Sequence, residues 1–511
     1  MEMTAVLLGG AELLLLGVGA LLLFIRMDYS VAEAVSYAVI TTLMCLSCIF
    51  QITFLIGFPF IAVGMEVLLL FLAMIGVFRN RKELSKIGPA VLFMLSRHPV
   101  ALGGMLISGI LLVIIPFFDL PAEGVWESVE PVFRTREDQP VFMTPGDPIS
   151  ETGWTSVNIL LLPYLFTRHG TMLGTGLIGF FGYVGIGFST YALSRRYSWP
   201  STAITVSMVV MSLPRFVFQA ISPGDEILPA AVSLFCILGV YRVAEQPNIR
   251  DLLLLILGIL FGISGGMLSL VFPLILLVVS TVILLRRHGV SVWVKMARDH
   301  WRMICLSGFP AFIFSQSWLT VLNLFQYRTS NRNLAQEWAY NTDGIMGAFA
   351  NLIRYFSEGI YLPRRGIYLM QKFFGINTDS LFPGLLDRIP WIFGSRGASV
   401  PFSFSHLAGN PVIGFGPLAL ILIWPAIIYT LLRGPQKLKT IAWGLLVYVY
   451  LVALIPAWTP LNVRYFSHFY ACGGFLTALL LPPWRLTRKG KTAVQIVCIG
   501  LLTTVFWYLL N

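Results

Sequence analysis

Apolar stretches of about twenty residues recur along almost the whole chain, and this repetition decides the fold class. The hydrocarbon core of a bilayer is about 30 Å thick and takes a helix of about 20 apolar residues to cross. About fourteen segments have that character, judged on the same length criterion: 4–25, 31–51, 54–78, 99–117, 171–193, 199–221, 227–243, 251–265, 267–285, 303–323, 412–432, 440–456, 466–483 and 493–510. Of the 511 residues 57% are hydrophobic and only 12% are charged, against about 25% charged in soluble domains. A water-soluble fold cannot hide this much apolar surface, so the bilayer is the solvent. The sequence predicts an all-α polytopic membrane protein with two long loops on the outer side.

Charge fixes the orientation. The net charge of +11 would suggest nucleic acid in a soluble protein. Here Lys and Arg gather in particular connections, as cytoplasmic loops do. They are Arg26, Arg79 to Arg97, Arg195-Arg196, Arg242 to Arg250, Arg286 to Arg302, Arg433 to Lys439 and Arg485 to Lys491. With fourteen spans all of them fall on one side, and both termini lie outside. The first apolar run is followed directly by more spans, so it reads as a retained helix and not a cleaved leader.

Six cysteines lie in or beside apolar runs: Cys45, Cys48, Cys236, Cys305, Cys472 and Cys498. Cys45 and Cys48 form a C-x-x-C, but no second pair or nearby His completes a metal set. Small buried apolar residues is the plainer reading.

Two outside loops are long. The first, 118–170, is rich in acids: Asp119, Glu123, Glu127, Glu130, Glu137, Asp138, Asp147 and Glu151. The second, 324–411, contains an amphipathic stretch, Ile345 to Ile360, suited to lying flat at the interface. Both hold many Trp, Tyr, Pro and Phe residues, which favours ordered lids over tails. The chain divides into N-terminal helices with a basic loop (1–98), a core with the first loop (99–323), the second loop (324–411) and C-terminal helices (412–511). No internal repeat stands out, which weighs against an inverted-repeat transporter.

Several residues could carry chemistry. Glu127, in Trp126-Glu127-Ser128, follows an apolar span at the water end of a helix, where a carboxylate can take up a proton. Asp225 and Glu226 sit in a tight turn between two spans, where a carboxylate could orient a sugar or a metal, or simply cap a helix. Arg215 lies inside an apolar span with Gln219 one turn further on; it faces a cavity or snorkels to the headgroups. Arg464-Tyr465 lies at the outer end of a late span, with His468 one turn on. Arg354, Arg364, Arg365 and Lys372 make the second loop basic, as solvated charge or lipid contacts. Trp126, Trp154, Trp338 and Trp391 can stack on sugars, though interfacial belts use the same residue. His406 reads as structural.

Taken in order, these segments resemble the GT-C type membrane glycosyltransferases related to glycosyltransferase family 39. That group carries a W-D-S-type motif in its first outside loop, and here it reads Trp126-Glu127-Ser128. Further matches are Ser156 to Tyr164 with Pro163, Leu213-Pro214 followed by Gly224-Asp225-Glu226, Ala350-Asn351-Leu352-Ile353-Arg354, Phe374 to Asp379, and His406 to Pro411. They span roughly residues 99–483. Three positions depart from the pattern. Glu127 stands for the usual Asp, Glu130-Pro131 for a Tyr-His pair, and Gly265-Gly266-Met267 for a Gly-Thr-Lys.

The resemblance implies transfer of a sugar from a polyprenyl-phosphate donor to a glycan, lipid or protein acceptor, with inversion, on the outer face of a bacterial inner membrane. It implies Glu127 as base, Asp225 or Glu226 in support, and Arg215 and Arg464 on the phosphate. Tyr465, Asp147, Glu151 and Trp126 complete the substrate contacts. The spans carry no cofactor motif, and a divalent cation is the one cofactor left open. Two rivals remain: a transporter or flippase of lipid-linked sugars, and an inactive GT-C-like scaffold.

Overall fold

The computed structural model describes residues 2–56, 58, 60–118, 157–168, 173–221, 226–263, 267–318, 340–360, 397–399, 414–481 and 488–509. Among them no strand occurs, only the isolated bridges Tyr340–Pro456 and Ala398–Trp458. The helices in chain order open with α1 (Glu2–Arg26), α2 (Val31–Ile56), α3 (Phe60–Arg79), α4 (Arg81–Arg97) and α5 (Pro99–Phe118). Next come α6 (Val157–Leu160), α7 (Tyr164–Thr167), α8 (Gly176–Arg195), α9 (Pro200–Met211) and α10 (Pro214–Gln219). Then follow α11 (Ile227–Glu245), α12 (Ile249–Gly262), α13 (Met267–Asp299), α14 (Trp301–Phe314) and α15 (Gly344–Ile360). A π-turn (Ala419–Ile423) leads into α16 (Trp424–Arg433), followed by α17 (Gln436–Leu454) and a 3₁₀ turn (Pro460–Tyr465). The chain closes with α18 (Phe466–Gly474), α19 (Thr477–Leu480) and α20 (Arg488–Leu509).

Nine helices among the described residues are long and apolar enough to cross a membrane. The protein is an all-α integral membrane protein. The other expected spans, at 199–221, 251–265, 303–323, 412–432 and 466–483, carry shorter helices. The reasons are local. Pro214 has no N–H to give Val210 and its ring crowds that carbonyl, so the helix ends at Met211 and restarts as α10. Gln316, at φ 56, ends the turn after α14. In α13 the apolar part stops at the basic Arg286-Arg287, and Gly289, at φ 70, breaks the helix just beyond them.

The chain forms two compact units, residues 1–196 with 219–334, and 197–218 with 335–511. In the first, α1 packs on α2 and α3, α8 on α2 and α11, and α11 on α12 and α13. Helix α11 is its core, buried from Ile227 through Tyr241. Small residues at Ala230, Ala231, Ser233 and Gly239 let neighbours approach on several faces, the way membrane helices associate. Large apolar side chains on α1, α3, α5 and α14 stay exposed, among them Leu14, Phe71, Ile107 and Leu306. Such a surface suits lipid and not water.

Helix α8 meets a carbonyl at its start. A methyl at Gly176 would strike the Ile221 carbonyl oxygen, which is backbone and cannot swing aside. Gly176→Ala is expected to destabilise the protein by about 1–3 kcal/mol, read as a lower unfolding temperature in detergent; an unchanged midpoint would contradict this packing.

One end of this unit is tied by ions. Glu33 accepts from Arg196 (2.6 Å) and Arg242 (3.1 Å), Arg196 also pairs with Glu245, and Arg242 lies 3.6 Å from Asp251. Tyr29 donates to Asp251, and the Arg242 guanidinium lies 3.5 Å from the Tyr29 ring centre. Burial works against the charge on Arg196, but Glu245 and Glu33 more than offset it and raise its pKa. Burial, with the bond to Asp251, pushes the Tyr29 hydroxyl up as well. The network joins α2, α8, α11 and α12 at the end carrying the basic connections. A second polar knot is wholly buried: Gln51 donates to Asn158 (2.6 Å), whose amide donates to the carbonyls of Phe261 and Phe314.

In the second unit, α15 lies on α17, and α9 packs against α18 and α20. All six cysteines are free; Cys236, Cys472 and Cys498 are buried, whereas Cys45 and Cys305 sit on exposed faces.

Candidate functional site

The most developed cluster of charge and aromatic surface in the second unit lies around residues 453–470. It is built on α15. The chain enters this helix through Asn341, whose side chain accepts from the Asp343 N–H (3.0 Å) and donates to the Gly344 carbonyl (2.9 Å). The Asp343 carboxylate accepts from the Gly397 N–H. Gly397, at φ 63, crosses Gly347 so closely that a methyl on it would lie 2.8 Å from the Gly347 Cα.

Helix α15 is turned opposite to a water-soluble helix. Asn351 and Arg354, one turn apart, are fully buried, while Ile345, Met346, Phe349 and Phe356 are exposed. The Asn351 amide donates to the carbonyls of Ala453 (3.0 Å) and Pro456 (3.5 Å), groups freed by the end of α17. The Arg354 Nη1 donates to Asn351 Oδ1 at 2.6 Å, and its guanidinium lies 5.6 Å from the ring of buried Trp458. Trp458 is fixed in turn by backbone bonds with Gly397 and Ser399. Arg354 is therefore not the solvated loop charge the sequence suggests.

The 3₁₀ turn then presents Arg464. Its Nη2 donates to the Tyr465 hydroxyl at 3.1 Å, and its charge lies 5.1 Å from that ring. The backbone is held by Tyr448, which donates to the Tyr465 carbonyl at 2.8 Å. His468 is buried, edge-on to Tyr448 at 5.8 Å. Leu352, Tyr355, Phe356, Trp424, Phe466 and Tyr470 form a closely packed aromatic cluster. Rings continue from it: Tyr355 to Phe466 (4.8 Å), Tyr470 to Phe415 (4.4 Å), and Phe415 to Phe216 (5.5 Å). The ring file ends on Phe216, in α10.

Chemically, Arg464 with Tyr465 and the buried Arg354 with Trp458 give this part of the second unit two guanidiniums set against aromatic rings. Guanidinium is suited to phosphate, both by charge and by its planar fork.

Of the other expected site residues, Glu226 stands at the start of α11 and accepts from the Gln219 amide (2.5 Å). Glu127, Trp126, Asp147, Glu151 and Asp225 lie outside the described residues, as do His406, Arg364, Arg365 and Lys372. No group of His, Cys, Asp and Glu suited to a metal occurs among the described residues. Of the two carboxylates offered for a divalent cation, Asp225 lies outside the described residues and Glu226 is bonded to Gln219.

Sequence reasoning missed two features. The burial of Arg354 was signalled only by the Asn351–Arg354 spacing on one helical face. Glu12 and Glu66, acids within apolar runs, were passed over although an ionisable residue inside a span is a functional signal in itself. No protein-family model matches the chain, and no curated protein matches it.

Proposed function

We propose that the protein is a membrane glycosyltransferase that moves a sugar from a polyprenyl-phosphate donor to an acceptor at the outer face of a bacterial inner membrane. What supports this reading is the pairing of a cation-rich aromatic corner, Arg354, Arg464 and Tyr465, with an ordered set of GT-C-like motifs. In the reaction the acceptor hydroxyl gives its proton to Glu127 and its oxygen bonds to the anomeric carbon. The bond from that carbon to the phosphate oxygen breaks, and the phosphate leaves with the electron pair. A general base and positive charge on the leaving oxyanion are the two needs of such a step. Glu127 meets the first; Arg464 and Arg215 meet the second, and Glu226 or Asp225 supports. Asp147, Glu151 and Trp126 contact the sugar. A lipid-linked donor also explains why the catalyst is a membrane protein.

The test uses membranes with wild type or Arg464→Ala and a panel of radiolabelled polyprenyl-phosphate sugars. Loss of one phosphate contact is expected to cut transfer by roughly 10²-fold at equal protein level. Equal transfer by both proteins would remove Arg464 from the site. A transporter of lipid-linked sugars is the second reading, favoured by one observation: Glu12, Glu66 and Arg168 put charge within the spans of the first unit. Absence of transfer with every donor, joined to donor movement across vesicles, would select it.

A further inference from the structure

Two carboxylates inside the membrane helices of the first unit share a single guanidinium. Arg168, which caps α7, donates through Nη2 to Glu12 Oε2 at 3.1 Å and through Nη1 to Glu66 Oε2. Glu12 lies on α1 and Glu66 on α3, within helices long and apolar enough to be spans. Their side chains are 9% and 2% exposed, and that of Arg168 is 10% exposed. The second oxygen of each carboxylate, Glu12 Oε1 and Glu66 Oε1, is buried and accepts no hydrogen bond among the described residues.

Among the described residues the charge count does not close. Two carboxylates against one guanidinium leave one negative charge in a low-dielectric setting, beside two bare acceptor oxygens. An unpaired buried charge of this kind neutralises itself instead of persisting. Two carboxylates drawn to one cation also repel, so one of them holds a proton more readily than a lone acid does.

Among the described residues the surrounding elements offer no replacement cation at this level. On α1 the remaining charges, Glu2 and Arg26, are at its ends, and Arg79 ends α3. On α2, Glu33 is engaged by Arg196 and Arg242, and Tyr37 stacks on Phe24 near the far end of α1. The other titratable groups of α2 are the thiols Cys45 and Cys48. Helix α4 carries Arg81, Lys82, Glu83, Lys86 and Arg97, all following the far end of α3 in the chain. Helix α7 contributes Tyr164, which stacks on Phe50. His169, next in sequence, lies outside the described residues.

We infer that Glu12 and Glu66 form a proton-binding pair within the membrane, holding one exchangeable proton between them while Arg168 neutralises the other charge. This site is separate from the glycosyl-transfer reading and stands or falls without it.

The experiment treats the full-length protein in lipid with dicyclohexylcarbodiimide, an apolar reagent that attacks carboxyl groups in their protonated form. The modified glutamate is located by peptide mass spectrometry. Wild type is expected to carry label on Glu12 or Glu66 at neutral pH, with labelling falling as the pH is raised. Glu12→Gln leaves Glu66 alone with Arg168, and Glu66→Gln leaves Glu12 so; each is expected to lower labelling of the remaining acid roughly tenfold. Three results would overturn the inference: no label on either residue in wild type, undiminished label in the single variants, or label suppressed by sodium at fixed pH, which would make the ligand a metal cation. The wild-type titration decides the matter even if a variant fails to fold.

Discussion

On the proposed function, replacing Glu127 with Gln is expected to leave a protein that reaches the membrane at the wild-type level but transfers sugar more slowly by a factor of about 10²–10⁴, the usual worth of a positioned base. The substitution keeps the size and shape of the side chain and removes only its capacity to take a proton. That makes it the sharpest division among the three readings. A glycosyltransferase loses turnover, a scaffold is indifferent, and a transporter keeps whatever movement it has. The measurement is transfer of labelled sugar in membranes, normalised to protein. Should transfer survive, the base moves to Asp225, Glu226 or Asp147, and the Trp126-Glu127-Ser128 match loses its meaning.

Arg242→Leu has the largest expected effect on stability, about 3–5 kcal/mol. The guanidinium is held by Glu33 at 3.1 Å, Asp251 at 3.6 Å and the Tyr29 ring at 3.5 Å. Its removal leaves Asp251 buried with the Tyr29 hydroxyl in place of an arginine, and Glu33 with Arg196 and Ser30. The loss is mainly the cost of a stranded carboxylate, and less the worth of the pair itself. Thermal unfolding in detergent measures it, with exposed Arg250→Leu as the control, expected to change stability by no more than about 0.5 kcal/mol. Equal midpoints for the two variants would show that the network does not hold α2, α11 and α12 together.

Hydropathy makes the spans readable because it is a property of consecutive residues. The runs at 31–51 and 227–243 reappear as α2 and α11 with small shifts at their ends. It fails where one residue acts against its run. Pro214 sits inside the apolar stretch 199–221, and its missing N–H divides it into two short helices. Periodicity locates the amphipathic helix after Ile345 but not its direction, since a stripe of apolar residues looks the same whether it faces protein or lipid. Arg354 therefore passes for a solvated charge until Trp458 and Asn351 are seen around it. The Glu12–Arg168 pair joins residues 156 positions apart, and no local pattern announces such a partner. Glu127 has a reading from its motif alone, because the geometry of its loop lies outside the described residues.

The inverted helix Gly344–Ile360 carries a practical consequence. Its outward stripe, Ile345, Phe349 and Phe356, is at rest only against hydrocarbon. This segment is thus not a piece of an aqueous domain hung on a membrane anchor. A fragment cut out to contain this segment would take its own greasy surface into water and precipitate, so the loop has to be studied with its bilayer attached.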